Sequence, residues 1–227
     1  MLLRNEIDVT VFDCDGVIFD SNGLKINAME NALRKVKIPK VQIERCVEYF
    51  SNNFGKSRFS HIEYFCNNIL QVSKAEFDLL YNLILYEYSE SCYKLYLKAE
   101  LTPGIEDVLT TLGGEVYVAS GSEEGELKKI FKKRNLDLYF SEIFGSPTRK
   151  DEILKRILNN KVSDRVLMIG DAFSDWEASR ENNVRFIAYL KYSTVREKMI
   201  KLSKREKFPY IDTWKDFELA CSTLMLK

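Results

Sequence analysis

One histidine, four prolines and five cysteines are all that this 227-residue chain carries of those residue types. The cysteines, at positions 14, 46, 66, 92 and 221, are odd in number, far apart and free of any C-x-x-C or Cys/His cluster. That spacing excludes a structural zinc cage and argues against a disulfide framework, so a reduced intracellular protein is expected. Neither sign of charge is in excess, since 34 Lys and Arg cancel 34 Asp and Glu. Nothing global therefore points to nucleic acid or an anionic membrane as partner. No segment reaches the roughly 18 unbroken apolar residues of a membrane span. The start, Met1 to Asp8, also lacks the apolar stretch of a signal peptide, and a soluble cytoplasmic protein is expected. The length suits one large domain, or one carrying an insertion, and is enough to bury a core without staples.

Four short apolar runs share one grammar. Val9 to Phe12 ends at Asp13-Cys14-Asp15-Gly16, Glu115 to Ala119 at Ser120-Gly121, Arg165 to Ile169 at Gly170-Asp171, and Arg185 to Leu190 at Lys191-Tyr192. Amphipathic stretches at about 122–135, 151–159 and 174–183 lie between them. Strands alternating with helices predict a parallel α/β sheet whose ligands bind beyond the carboxyl ends of the strands. Residues 21–99 break the alternation. From Lys56 to Thr102 there is neither Gly nor Pro, and Tyr49, Phe50, Phe54, Phe59, Tyr64 and Phe65 crowd this part of the chain. A small helical bundle with an aromatic core is expected there, with Thr102-Pro103 as N-cap and first helical residue on the return to the sheet.

Polar residues at the strand ends carry the chemistry. Asp13 and Asp15 flank Cys14, and a period of two turns both carboxylates to the same side while Cys14 faces the core. Such a pair can supply one nucleophile and one acid. Ser120-Gly121 offers a hydroxyl and backbone amides just before a helix, a cradle for phosphate oxygens. Lys150 opens the next helix, where a cation needs an acidic or anionic partner, and Arg149 is its rival. Asp171 and Asp175, four residues apart on one helix face, are hard oxygen ligands suited to magnesium.

In order and spacing these motifs resemble the haloacid dehalogenase superfamily of phosphohydrolases, over nearly the whole chain. The four corresponding motifs are Asp13-Cys14-Asp15-Gly16-Val17, Ser120 after a hydrophobic strand, Lys150, and Gly170-Asp171 through Asp175. The resemblance implies a Rossmann-like parallel α/β core, residues 1–20 and 100–227, with an inserted α-helical cap, residues 21–99. Caps of that kind belong to the phosphoglycolate phosphatase-like and β-phosphoglucomutase-like members. It makes Asp13 the nucleophile that takes the phosphoryl group and Asp15 the acid and then the base. Ser120 and the Gly121 amide would hold phosphoryl oxygens, and Lys150 would neutralise charge. Magnesium would be bound by Asp13 and Asp171, by the backbone carbonyl of Asp15, and by Asp175 directly or through water. The usual Pro after the motif lysine is here Asp151, and Asn182-Asn183 stands where relatives often place Ala-Gly.

Relatives that displace halide or cleave phosphonates lack the acid at the place of Asp15, so a phosphate monoester of a small metabolite, a sugar phosphate or phosphoglycolate-like compound, is the expected substrate. The partner is then a small-molecule phosphate ester, and the protein a monomer or homodimer. Four site aspartates outweigh one magnesium ion and Lys150, which leaves room for cations from the cap. Gly55-Lys56-Ser57-Arg58 resembles the substrate-contacting loop of β-phosphoglucomutase-like caps, and Lys56 and Arg58 are expected to reach the substrate's distal group. Lys25 is a further substrate-binding candidate, at the entry to the cap where mutase-type relatives tend to have His. With no His in any motif, hydrolase is favoured over phosphosugar mutase. A phosphoaccepting signalling module is the alternative of a different class, disfavoured by motif order and by the cap. His61 is expected on an ordinary helix surface.

Overall fold

The computed structural model describes residues 7–159 and 161–225, so the first six residues of the opening stretch lie outside the described residues. Its strands are β1 (Val9–Phe12), β2 (Glu115–Glu123), β3 (Glu142–Ser146), β4 (Val166–Gly170), β5 (Arg185–Tyr189) and β6 (Tyr210–Ile211). They form one parallel sheet in the order β3-β2-β1-β4-β5-β6. β1 is buried along its whole length, as a β-branched and aromatic run in a doubly covered parallel sheet must be. Its Phe12 aligns with Val118 on one side and Ile169 on the other. Successive strands run outward from β1 in one direction and from β4 in the other. The crevice at this switch point opens where the carboxyl ends of β1 and β4 lie side by side.

Between β1 and the rest of the sheet the described chain is helical from Asn22 to Tyr96: α1 (Asn22–Lys35), α2 (Lys40–Asn52), α3 (Arg58–Tyr64), a π-helical turn at Phe65–Leu70, and α4 (Lys74–Tyr96). The aromatic residues pack as expected. Phe50 meets Phe54 and Tyr88 at ring-centroid distances of 5.0 and 5.9 Å, and Tyr49 stacks on Tyr64 at 3.8 Å. The remaining helices are α5 (Ile105–Thr111), α6 (Glu124–Lys133), α7 (Lys150–Ile157), α8 (Phe173–Glu181), α9 (Arg196–Glu206) and α10 (Phe217–Met225). Strand alternation divides the core. Phe12 packs on the side of Leu127, Phe131 and Trp214, whereas Val9 and Val11 face Ile153, Leu154 and Met199. No helix among the described residues is long and apolar enough to cross a membrane.

The structure departs from expectation at several boundaries. β3 and β6 carry no periodic signal because one is five residues long with Gly145 inside it and the other has two residues. β2 does not stop at Ala119 but shifts register and continues to Glu123, paired with Ser146. Thr102 is not an N-cap, since α5 starts after Gly104. Its buried hydroxyl donates to the Val17 carbonyl at 2.5 Å and accepts from Trp214 Nε1 at 2.9 Å. Thr102→Val would leave both groups unpaired in the core. It should lower unfolding free energy by roughly 2 kcal/mol or more, read as a lower urea midpoint at unchanged slope.

Candidate active site

The ladder of β1 persists one residue past the strand, with the Asp13 amide donating to the Ile169 carbonyl at 2.8 Å. Gly16 then turns the chain at φ +77°. A β-carbon there would lie 2.5 Å from Asp171 Oδ2 and 2.4 Å from Asn22 Nδ2, so glycine is needed both for the turn and for the approach of Asp171. Cys14 between the two aspartates is buried in the core, as expected, and burial holds its thiol well above the ordinary range.

Strand ends bring Asp13, Asp171 and Asp175 together, each offering one oxygen within 4.8 Å of the others, all buried. Lys150, the first residue of α7, donates to Asp13 Oδ1 at 2.7 Å and to Asp175 Oδ1. Arg149, its rival, is exposed and paired with Asp151. Asp175 Oδ2 accepts the amides of Asp171 and Ala172 at 3.1 and 3.0 Å. Asn22 donates to Asp171 Oδ2 at 2.7 Å, while its own buried Oδ1 has no partner among the described residues.

Three buried carboxylates against one ammonium leave an excess of negative charge out of reach of water. Burial, with repulsion from Asp175 and Asp15, pushes Asp13 up to about 7 even against the attraction of Lys150. Burial and the charges of Asp13 and Asp175 push Asp171 well above the carboxylate range. Burial alone would lower Lys150, but Asp13 and Asp175 raise it. A hard divalent cation fits this donor set: it would match the carboxylate oxygens of Asp13, Asp171 and Asp175 and offset their excess charge.

Asp15 is held in a separate network. Its carboxylate accepts from Ser21 Oγ at 2.6 Å, Lys25 Nζ at 2.8 Å, Tyr96 OH at 2.6 Å and Ser122 Oγ at 3.1 Å. Burial would raise Asp15, yet Lys25 and the hydroxyl donors bring it below the ordinary value. Tyr96 and Ser122 escaped the sequence analysis. Ser122 could have been found, because it lies two residues beyond Ser120 on the same strand. Tyr96 had no local signal, since it reaches Asp15 across 81 residues.

The remaining candidates lie around the margin of this cluster. Ser120 is fully buried at the edge of the site, and its Oγ accepts the Ser122 amide. Gly121 lies against the Gly55 carbonyl, 2.4 Å from where its β-carbon would be, which seats the loop of the helical insertion on the sheet. Lys25 touches Asp15 rather than standing free for substrate. Arg58 is spent on Glu126 of α6, with two contacts of 3.0 Å, and on Ser89, so its guanidinium is not free for a distal group. Lys56 lies at the rim and donates to Asn53 Oδ1. His61 is not on the surface: it is 2% exposed, inside the aromatic cluster, and burial pushes it down to about 3. The cavity bordered by Asp13, Asp15, Lys25, Arg58 and His61 measures about 10 Å³, the room of one water. A cleft of about 490 Å³ lies outside it, against Ser120, Lys150 and Tyr64.

Comparison with known proteins bears on the family and the fold. Residues 10–189 match the family model described as haloacid dehalogenase-like hydrolase. A curated relative carrying the pyrophosphatase name PpaX, from Caldanaerobacter subterraneus subsp. tengcongensis, is 26% identical over 213 residues, 89% of this chain and 90% of its own. The fold is that of a predicted phosphatase from Clostridium acetobutylicum, with TM-score 0.74 at 20% identity over 96% of this chain and 99% of the other. It is also that of the HAD-hydrolase YfnB from Bacillus subtilis, described as bound to magnesium and as revealing interdomain movement, with TM-score 0.57 at 16% identity over 81% and 88%.

The carboxylate cluster predicts a linkage between cation and pH. Asp13 and Asp171 hold protons in the folded state that the unfolded chain has already lost, so in the metal-free protein their contribution to stability falls as pH rises from about 4 through about 7. A cation competing with those protons should stabilise more at high pH. Added magnesium should raise Tm more at pH 8 than at pH 6, and Asp171→Asn should abolish most of the difference, checked by differential scanning fluorimetry.

Proposed function

The chain belongs to the haloacid dehalogenase-like hydrolases, and from that premise we propose that it is a magnesium-dependent phosphomonoesterase of a small metabolite, working through an aspartyl phosphate on Asp13. The observation that carries this reading is the separation of the two neighbouring aspartates. Asp13 faces Lys150 and the cation-fitting cluster, while Asp15, two residues on, is held by a different set of donors. Paired carboxylates in distinct environments suit distinct roles.

In the proposed reaction an Asp13 oxygen attacks phosphorus, the ester P–O bond breaks, and Asp15 hands its proton to the leaving oxygen. Water then attacks the phosphoryl group, Asp15 takes the proton, and the bond to Asp13 breaks to release phosphate. The donors around Asp15 favour its carboxylate form, which this second half requires, and the proton it takes from water there is the one it hands to the leaving oxygen of the next turnover. Lys150 holds Asp13 in place and neutralises charge beside it, and the Ser120 hydroxyl and Gly121 amide are assigned to the phosphoryl oxygens. Asp13, Asp171 and Asp175, with the Asp15 carbonyl, would hold magnesium, whose charge would draw Asp13 to its ionised form and offset the dianion of the substrate.

A cavity with room for one water cannot admit such a substrate, so residues 21–99 are assigned as a cap that opens and closes. The crossing segments form the natural hinge, where the Asp20 backbone amide donates to the Glu100 carbonyl and Phe19 bridges Leu101.

Phosphate release from sugar phosphates, phosphoglycolate, nucleotides and an aryl phosphate, with and without magnesium, tests the reading. Release should require magnesium and fall by roughly 10³-fold or more in Asp13→Asn. A phosphoenzyme lasting minutes instead of seconds would replace the hydrolase with a signalling module, and silence across the panel in the folded, metal-loaded protein would overturn the reading.

A further inference from the structure

The helical insertion begins with Ser21 at the N-cap of α1 and Asn22 as its first residue, yet the Ser21 side chain makes no capping bond. Both side chains are turned into the site instead. Ser21 Oγ donates to Asp15, and Asn22 Nδ2 donates to Asp171 Oδ2 at 2.7 Å. Asn22 is buried, 2% exposed, and asparagine is a poor helix former, so neither solvent nor helix propensity accounts for it. Its Nδ2 also donates to the Tyr192 carbonyl at 3.1 Å. A carbonyl can only accept, so the end of the amide turned to Tyr192 and Asp171 is its NH2 group. The next residue, Ser193, grips Asp171 from behind, its Oγ donating to the main-chain carbonyl of Asp171 at 2.6 Å.

Asp171 needs such a holder. The last torsion of an aspartate is broad, so rotamer preference does not fix where its oxygens point. Asp13 is fixed by Lys150, and Asp175 by Lys150 and two backbone amides. All of those donors belong to the sheet and its own helices. The side-chain donor to Asp171 comes from the insertion, across 149 positions of the chain. The contact passes directly over Gly16, where a β-carbon would lie 2.4 Å from Asn22 Nδ2 and 2.5 Å from Asp171 Oδ2. Glycine at that turn makes room for this hydrogen bond.

We propose that Asn22 is a positioning residue for the cation: it aims the Asp171 carboxylate into the cluster with Asp13 and Asp175, so that the insertion and the sheet together set the affinity for magnesium. This rests on the magnesium-dependent reading above and adds to it a residue outside the four motifs. Groups that orient a metal ligand from behind typically carry roughly 10- to 100-fold of metal affinity. The coupling is reciprocal, so the cation in turn holds the first turn of α1 to the sheet.

Isothermal titration calorimetry of the metal-free protein with magnesium chloride measures the affinity directly. Electron paramagnetic resonance of manganese(II), which separates free from bound ion, repeats the measurement with a second cation. Asn22→Leu nearly keeps the size of the side chain but removes the donor, and it should weaken both affinities by roughly 10-fold or more. Asn22→Gln retains an amide and should recover part of the loss. A merely structural Asn22 would lower the metal-free Tm and leave both affinities unchanged, and that result overturns the assignment. Hydrogen exchange of wild type gives a second readout that needs no variant. Magnesium should slow exchange in α1 more than in α10, and equal slowing overturns the proposal. Wild type that binds the cations while Asn22→Leu binds them as tightly removes the Asn22 role alone. Wild type that binds neither cation removes the reading beneath it as well.

Discussion

Mutual repulsion among Asp13, Asp171 and Asp175, buried together with a single ammonium between them, is the constraint around which the rest of the molecule is arranged. A parallel sheet meets it by delivering two of the three from adjacent strand ends and the third from the first helical turn that follows. Lys150 arrives from α7, and the amides of Asp171 and Ala172 take one oxygen of Asp175. Each partner reduces the excess charge without cancelling it. Carboxylates buried in this way keep protons until a positive charge takes their place, and that donor set fits a divalent cation.

The helical insertion answers a different problem. Asp15 lies two residues from Asp13 but is removed from the carboxylate cluster by donors that come from both crossings into the insertion, Ser21 and Lys25 on one side and Tyr96 on the other. The ionisation of Asp15 is thereby tied to the placement of the insertion. The same placement closes the cavity: the Gly55 loop rests on Gly121, Ser174 donates to the Phe54 carbonyl, and Arg58 reaches across to Glu126. In the proposed cycle, opening would break a buried ion pair, and substrate contacts would have to offset that cost.

Much of the fold was legible because its signals are local. The apolar run of β1 and the alternation of strand and helix follow from side-chain period alone, and the positions of Asp13, Asp15 and Asp171 just beyond their strands came with them, whereas Ser120 lies inside β2. The gap without glycine or proline marked the helices between Arg58 and Tyr96. Signals failed where the determining contact was remote. Thr102 looks like a helix cap until Trp214 and Val17 take its hydroxyl. Arg58 looks like a free cation until α6 places Glu126 against it, and His61 looks like surface until Phe50 and Tyr49 close around it. Position along the chain carries no record of such partners, since each depends on how the insertion seats against the sheet.

By itself the sequence determined the class of architecture and the motif residues on which the family resemblance rests, because side-chain period and motif spacing are read directly along the chain. Tertiary structure alone decided that Lys150 and not Arg149 meets Asp13, that Lys25 and Tyr96 hold Asp15, and that Arg58 is neutralised while His61 is buried. The physical reason is that a buried polar group takes its properties from whatever partner the packing supplies, and packing brings together residues that the chain keeps far apart.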